Sequence, residues 1–323
     1  MRKVAKRVEK PVLYQFVGSF NSGKATFAAQ LSSRRSEFDI RFTLHMRDNY
    51  TLEYARLNPD TMAVPTMEID DCVCTDSYDM IMYLLDNYPG AGDQEVVKSG
   101  KRAEMLKFVD AVKEWDEYMF TYGHMGESSS DTANGIRLVY LRRSLRQVLD
   151  EKPEDEAFLT DAYVKKIAGV TNMKRAQVEG EQKQKDLAEN IAHLHRVLAL
   201  GSELLARSGG DGFLFGKELT TADVFFLPIF RIFFVALPTF FDEVWQKHPT
   251  LRGYWERALA HPDVEAGLMH YVRKPAMIGA MFGAGVPRLI LSWKLGCVNA
   301  PELPEGIERR IEEEAEKAWL ARS

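Results

Sequence analysis

LNPDTMAVPTMEIDDCVCTDSYDMIMYLL, residues 57–85, is the stretch whose reading decides the fold. Asn58-Pro59 argues against a helix continuing there, because the residue before a proline is pushed out of the α region. Val64-Pro65 opens a strand-like run, Thr66 to Ile69. Asp70-Asp71 is a turn signal and Cys72-Val73-Cys74 a second strand-like run, so the pair predicts a small β-hairpin. Thr75, Asp76 or Ser77 can cap a following helix that carries Met80, Ile81, Leu84 and Leu85 on one side. The hairpin therefore delivers a hydroxyl and a carboxylate to a helix N-terminus, where free backbone N–H groups favour a bound anion.

Upstream, residues 12–17 (VLYQFV) read as a first strand, rich in β-branched and aromatic residues. Residues 18–24 (GSFNSGK) read as a loop that runs into a helix from Ala25 to about Ser32. Residues 38–45 (FDIRFTLH) alternate like a second strand. A βαβ unit followed by a ββα unit is an α/β layer arrangement, and it ends near Tyr88-Pro89-Gly90. After Gly100 the pattern becomes helical, with Met105, Phe108, Val109, Val112, Trp115 and Met119 in phase. Residues 126–135 (GESSSDTANG) read as a loop, and helices are expected over 136–149, 161–169 and 181–205. Thr220 and Asp223 form a capping-box pattern before an apolar helix. Two more helices, 251–260 and 262–271, close this half, which reads as all-helical.

The 323 residues suffice for two domains, and 46% hydrophobic with 28% charged residues fits a globular protein. A net charge of -5 with no long single-sign block gives no nucleic-acid signal. Three cysteines form neither an even disulfide framework nor zinc spacing, so no metal is expected and a reducing compartment is. Residues 1–10 (MRKVAKRVEK) are basic, lack the apolar core of a secretory signal, and read as a solvated tail or part of an organellar address.

Val64-Pro65, Asp76-Ser77 with the helix after them, and the Thr220 to Asp223 box followed by Pro228, in this order, resemble the glutathione transferases over residues 11–271. The resemblance implies an α/β thioredoxin-like N-terminal domain (11–92) and an all-α C-terminal domain (99–272), with a helical insertion (127–184) and a C-terminal extension (273–323). Trp115 to His124 (WDEYMFTYGH), the insertion and the run LFGKELTTADVFFLPIFRI look similar to one branch. That branch holds the ganglioside-induced differentiation-associated proteins and the tetrachlorohydroquinone-dehalogenase-like transferases.

The resemblance also implies a site for glutathione, bound as substrate or ligand. Ser19 matches the serine placed beside the glutathione sulfur, with Ser22 as an alternate; each reads equally well as a capping or loop serine. Val64 and Pro65 match the family's cis-proline turn, which holds the cysteinyl part. Asp76 and Ser77 match the pair that binds the γ-glutamyl end, although the family usually has Glu or Gln before the serine; simple N-capping is the other reading. Tyr118, Tyr122 and His124 are candidates for the electrophile pocket, and a packed histidine is the plainer reading of His124. Asn21 stands where the dehalogenases carry a cysteine, so thiol–disulfide chemistry through a protein cysteine is not expected. Cys72 and Cys74 read as strand residues, Tyr14 as a packed strand aromatic and Asp223 as a cap.

The implied reaction is addition of glutathione thiolate to a small hydrophobic electrophile. The alternative is a non-catalytic scaffold or assembly subunit that contacts protein partners through 127–184 and 275–323. Residues 275–298 are apolar and Gly-rich but interrupted by Pro287, Arg288 and Lys294; packing on protein, surface contact with a membrane and a true span all stay open. Residues 305–322 read as an acidic amphipathic helix, solvated or partner-facing. A cytoplasmic location is expected, with a mitochondrial or other organellar membrane-associated one as alternative. Dimerisation follows from the resemblance only.

Overall fold

The computed structural model describes residues 2–3, 8–16, 18–43, 48–124, 127–176, 180–270 and 300–321. The first third contains β1 (Arg2–Lys3), β2 (Val12–Gln15), α1 (Phe20–Leu31), β3 (Asp39–Phe42) and α2 (Leu52–Leu57). The hairpin β4 (Thr66–Ile69) and β5 (Cys72–Cys74) follows, then α3 (Ser77–Asn87), α4 (Ala91–Lys98) and α5 (Arg102–Lys113). Next come α6 (Glu117–His124), α7 (Glu127–Glu151), α8 (Glu156–Ala176) and α9 (Gly180–Arg207). The rest is α10 (Thr221–Ala236), α11 (Phe240–Lys247), α12 (Thr250–Ala260), the short α13 (Pro262–Val264) and the tail helix α14 (Glu305–Leu320). Among the described residues no strand lies beyond β5.

The chain forms two compact units. The first joins residues 1–42, 65–121 and 185–278. Its sheet has the order β1-β5-β4-β2-β3, with β2 and β3 parallel and the other neighbours antiparallel. The predicted hairpin is present: Met67 faces Cys74 and Ile69 faces Cys72, while Asp70 takes a positive φ of 53° in the turn. Such a φ suits an Asx residue in a tight turn. Arg34 Nη1 donates to Asp70 Oδ1 at 3.0 Å, and the hydroxyls of Tyr83 and Tyr88 donate to Oδ2 at 2.8 and 2.7 Å. The basic N-terminus contributes an edge strand, Arg2 opposite Val73 and Lys3 opposite Cys72, where the sequence suggested a solvated tail or part of an organellar address.

Helices cover this sheet because their apolar residues recur at three-to-four spacing. Leu13, Phe27, Met67, Met80, Ile81 and Leu84 share one core with Met105, Trp115, Phe120 and the aromatic run of α10. Asp93 of α4 fastens α10: its carboxylate accepts from Thr221 N at 2.8 Å and Thr221 Oγ1 at 2.9 Å.

The second unit comprises residues 43–64, 122–184 and 279–323. Leu141, Leu145 and Val148 of α7 meet Leu159, Tyr163 and Ile167 of α8, and Leu303 and Ile311 close the same core. Residues 127–135, expected as a loop, are the first turns of α7. Their Ser, Asp and Asn content lowers local propensity by only tenths of a kcal/mol per residue, which the packing of the later turns of α7 against α8 outweighs for the helix as a whole. The tail helix α14 is not a solvated appendage. Arg142 pairs with Glu308, Nη2 to Oε2 at 2.8 Å, and Asn172 Nδ2 donates to Ala315 O at 2.7 Å. Tyr163 Oη and Ser144 Oγ both donate to Tyr50 O, at 2.8 and 2.7 Å, tying the β3–β4 connection into this unit. The segment 275–298, with its membrane reading, lies outside the described residues. No described helix is long and apolar enough to cross a membrane.

Candidate functional site

The first corner of the site is the start of α1. The helix begins five residues before the sequence suggested, since Ser19 is its N-cap and accepts from Ser22 N at 3.2 Å. Capping by a serine is worth about 0.5–2 kcal/mol and turns an apparent loop into the first helical turn. Ser19 N donates to Phe16 O at 3.0 Å, and Arg231 Nη1 of α10 donates to Ser19 O at 3.4 Å. Burial pushes the Arg231 guanidinium down to about 10. A Cβ at Gly23 would lie 2.2 Å from Arg231 Nη1, so any larger residue there would displace the Arg231 guanidinium. Ser19 is half-buried, and its Oγ accepts one bond while its O–H meets no acceptor among the described residues. A hydroxyl offers one donor and two lone pairs, so this donor is available to a ligand.

Ser22 is placed differently. It is fully buried, and its Oγ accepts from Phe16 N at 3.2 Å. That hydroxyl satisfies the backbone beneath α1. Tyr14 Oη donates to Glu68 Oε1 at 2.9 Å and accepts from Arg41 Nη1 at 3.1 Å, while burial and Glu68 raise its pKa.

The second corner is the start of α3. Asp76 is the N-cap and accepts from Tyr78 N at 2.9 Å and Asp79 N at 3.2 Å. Its side chain is exposed. Ser77 is buried and donates its hydroxyl to Asn21 Oδ1 at 3.2 Å. Asn21 Nδ2 in turn donates to Glu117 Oε1 at 2.8 Å. One amide on α1 thus ties the start of α3 to the start of α6. Val64 is half-buried and precedes buried Pro65 at the entry to β4. Tyr118, Tyr122 and His124 lie on α6, and their side chains lie outside the described residues.

The described cysteines take no part. Cys72 and Cys74 are buried in β5, and burial pushes the Cys74 thiol up to about 12 and raises that of Cys72. Neither supplies a thiolate at neutral pH. Among the described residues no cluster of three His, Cys, Asp or Glu side chains could hold a metal ion.

Lys24 was read as a loop residue and is the side chain the sequence reading missed. It sits on α1 and is 8% exposed, with Nζ 4.6 Å from the Phe20 ring centroid and 5.5 Å from that of Phe225. Burial lowers its pKa, while the charges of Glu117 and Asp76 act the other way. Once the helix is known to begin at Phe20, the spacing of 20, 21 and 24 puts all three on one face.

Asp223 acts as a cap. Its Oδ2 accepts from Thr220 N and Thr220 Oγ1, both at 2.8 Å, and its Oδ1 from Tyr254 Oη at 2.7 Å and Leu214 N at 3.3 Å.

Comparison with known proteins agrees with this architecture. Residues 13–92 match the glutathione S-transferase N-terminal domain and residues 155–262 the glutathione S-transferase C-terminal domain, together more than half of the chain. The chain is similar to glutathione S-transferase TCHQD of Arabidopsis thaliana, 23% identical over 221 residues, which is 68% of this chain and 74% of that protein. Its fold is similar to a delta-class glutathione transferase of Nilaparvata lugens, with 18% identity and a TM-score of 0.50 over 84% of this chain and 99% of that one. A beta-etherase from Sphingobium gives 21% identity and a TM-score of 0.50 over 81% and 99%. The sheet layer with its capped helix starts, the helical half of the chain and both domain matches make this chain a member of the glutathione S-transferase family.

Proposed function

We propose that the chain binds glutathione at the adjoining starts of α1 and α3 and transfers it to a small hydrophobic electrophile. The observation that carries this reading is the Asn21–Ser77 bond of 3.2 Å, which sets the Ser19 cap and the Asp76 cap side by side. In this reading Ser19 O–H donates to the sulfur, the Val64 backbone before Pro65 pairs with the cysteinyl part, and Asp76 and Ser77 take the γ-glutamyl end. A free thiol titrates near 8.5, so only a few per cent is thiolate at neutral pH. One charge-assisted hydrogen bond and a helix N-terminus favour the anion, and each unit of depression corresponds to about 1.4 kcal/mol. The thiolate then forms a C–S bond. In substitution the leaving group departs with its bonding pair; in addition the new carbanion takes a proton from solvent. Tyr118, Tyr122 and His124 on α6 are the residues proposed to meet the electrophile.

Asparagine at position 21, hydrogen-bonded on both sides, supports direct thiolate attack over a mixed-disulfide route. Retention on immobilised glutathione, followed by turnover of a nitro-activated aryl chloride, tests the reading. Retention lost in Asp76→Ala and turnover lowered in Ser19→Gly are expected; retention that survives both Ser19→Ala and Asp76→Ala sinks the site.

The scaffold reading has one observation in its favour. The insertion and tail helix build a core of their own, a unit that α1 and α3 do not need for their caps. It expects no retention of the wild-type chain on glutathione and assigns 127–184 and 275–323 to protein partners.

A further inference from the structure

His195 of α9 is the centre of a cluster that the proposed reaction does not use. Its Nε2 lies 3.0 Å from Glu243 Oε1 of α11, and its Nδ1 lies 3.3 Å from Nε2 of His248, the C-cap of α11. Lys247 Nζ donates to the same Glu243 oxygen at 2.7 Å and lies 3.4 Å from His195 Nε2. The His195 ring stacks on Phe240, with centroids 6.2 Å apart and planes at 27°. Phe240 in turn meets Phe233 of α10 at 5.0 Å and Phe120 of α6 at 5.4 Å. One imidazole on α9 thus touches both ends of α11, Phe240 at its start and His248 at its cap.

Hydrogen-bond chemistry fixes where the protons go. An ionised carboxylate only accepts, so the His195 nitrogen beside Glu243 carries a hydrogen. The hydrogen bond from Lys247 lowers the Glu243 pKa and keeps that carboxylate ionised. His195 Nδ1 and His248 Nε2 then have room for one hydrogen between them. With both rings neutral, His248 Nε2–H donates to the lone pair on His195 Nδ1. With one positive charge on the pair, the added proton sits on His248 Nδ1, and the shared hydrogen can belong to either ring. The link survives this first step. With both rings charged, two N–H groups point at each other, neither nitrogen accepts, and two like charges meet.

The charged groups facing the pair are Glu243 and Lys247 of α11, besides each ring facing the other; Phe240 adds an uncharged contact. Burial, His195 and Lys247 all lower the His248 pKa. Double protonation therefore waits for a solution more acidic than an ordinary histidine requires.

We propose that His195 and His248 form an acid-sensitive latch, which holds α11 on α9 while the pair carries at most one charge and releases it when both rings are charged. Release withdraws Phe240 from Phe120 and Phe233. It also loosens the cluster in which Trp245 stacks on Phe241 at 4.9 Å and on Phe230 at 6.0 Å. The latch is built within the first unit and stands whether or not the chain binds glutathione.

The test is amide hydrogen exchange of the full chain at about pH 7.5 and about pH 5, either side of the ordinary histidine range and corrected for intrinsic rates. Nitrogen NMR of the imidazoles reads the protons directly. Protection over α11 is expected to fall on the order of 10-fold at the lower pH, the effect of one lost hydrogen bond, while α5 is unchanged. At the higher pH, His195 is expected to carry its hydrogen on Nε2. His248→Gln replaces the ring nitrogen with an amide that donates or accepts but does not titrate, and is expected to keep α11 protected at both pH values. His195→Phe keeps an aromatic ring on Phe240 without the link, and is expected to leave α11 loosened at both. Equal wild-type protection at the two pH values, a fall shared by α5, or a fall that persists in His248→Gln overturns the latch. So does a His195 that carries its hydrogen on Nδ1 alone at the higher pH. If either variant fails to fold, the wild-type exchange and nitrogen shifts decide by themselves.

Discussion

At the scale of single residues, Ser19 and Ser22 separate what their spacing alone leaves joined. Both are hydroxyls near the end of the first strand, and only burial and partners tell them apart. Ser19→Gly keeps the cap to within a few tenths of a kcal/mol and removes the donor. Turnover of the aryl chloride is expected to fall roughly 10- to 100-fold with little change in melting temperature. Ser22→Ala is expected to do the reverse: the Phe16 N–H loses the Ser22 hydroxyl as acceptor, at about 1–3 kcal/mol of stability, and turnover per folded molecule holds. A Ser22→Ala enzyme that folds normally and loses turnover would move the catalytic role to Ser22. Asn21 was legible as a departure from cysteine. Its bonds to Ser77 and Glu117 were not, because those partners lie 56 and 96 positions away. Lys24 was illegible for the same reason, its burial being set in part by Phe225 of α10.

At the scale of elements, local signals worked where a cap and an apolar stripe agree. The β4–β5 hairpin, α3 and the start of α10 all combine a turn or cap with periodic burial. They failed at α1 and α7, where Gly, Ser and Asn inside the helix mimic a loop and long-range packing decides. The α10 cap carries a pH dependence. Burial pushes the Asp223 carboxyl up to about 6 from an ordinary 3.8, against the pull of its four donors. The folded state therefore holds the proton more tightly than the unfolded chain. The stability this contributes is fully present below about pH 3.8 and is lost as pH rises through 6. Asp223→Ala orphans those buried donors and is expected to cost about 2–4 kcal/mol at pH 7. The gap between wild type and variant is expected to widen by on the order of 1 kcal/mol at pH 5. Denaturant midpoints at the two pH values check it, and a gap that narrows would refute the assignment.

At the scale of the whole molecule, the sequence order of segments and their spatial grouping differ. The residues that build the candidate site, from Ser19 and Lys24 to Ser77 and Glu117, belong to the first unit, whereas the β3–β4 connection and the tail helix join the insertion. The tail reads as solvated because nine of its 16 residues are charged, most of them acidic; Ile311 and Ala315 form a narrow stripe whose partner, α8, lies more than a hundred residues away. This grouping makes a prediction that a linear reading would not. Ile311→Asp places a carboxylate at a 4% exposed position of the second core, at a cost of several kcal/mol. Hydrogen exchange is expected to speed up in α7, α8 and α14, the helices that share that core. If the glutathione site is built within the first unit, exchange in α1 and α3 stays slow and retention on glutathione is unchanged. Lost retention with α1 and α3 still protected would show instead that the second unit contributes directly to the ligand, and Val64, the proposed glutathione-binding residue that belongs to it, would be the first position to examine.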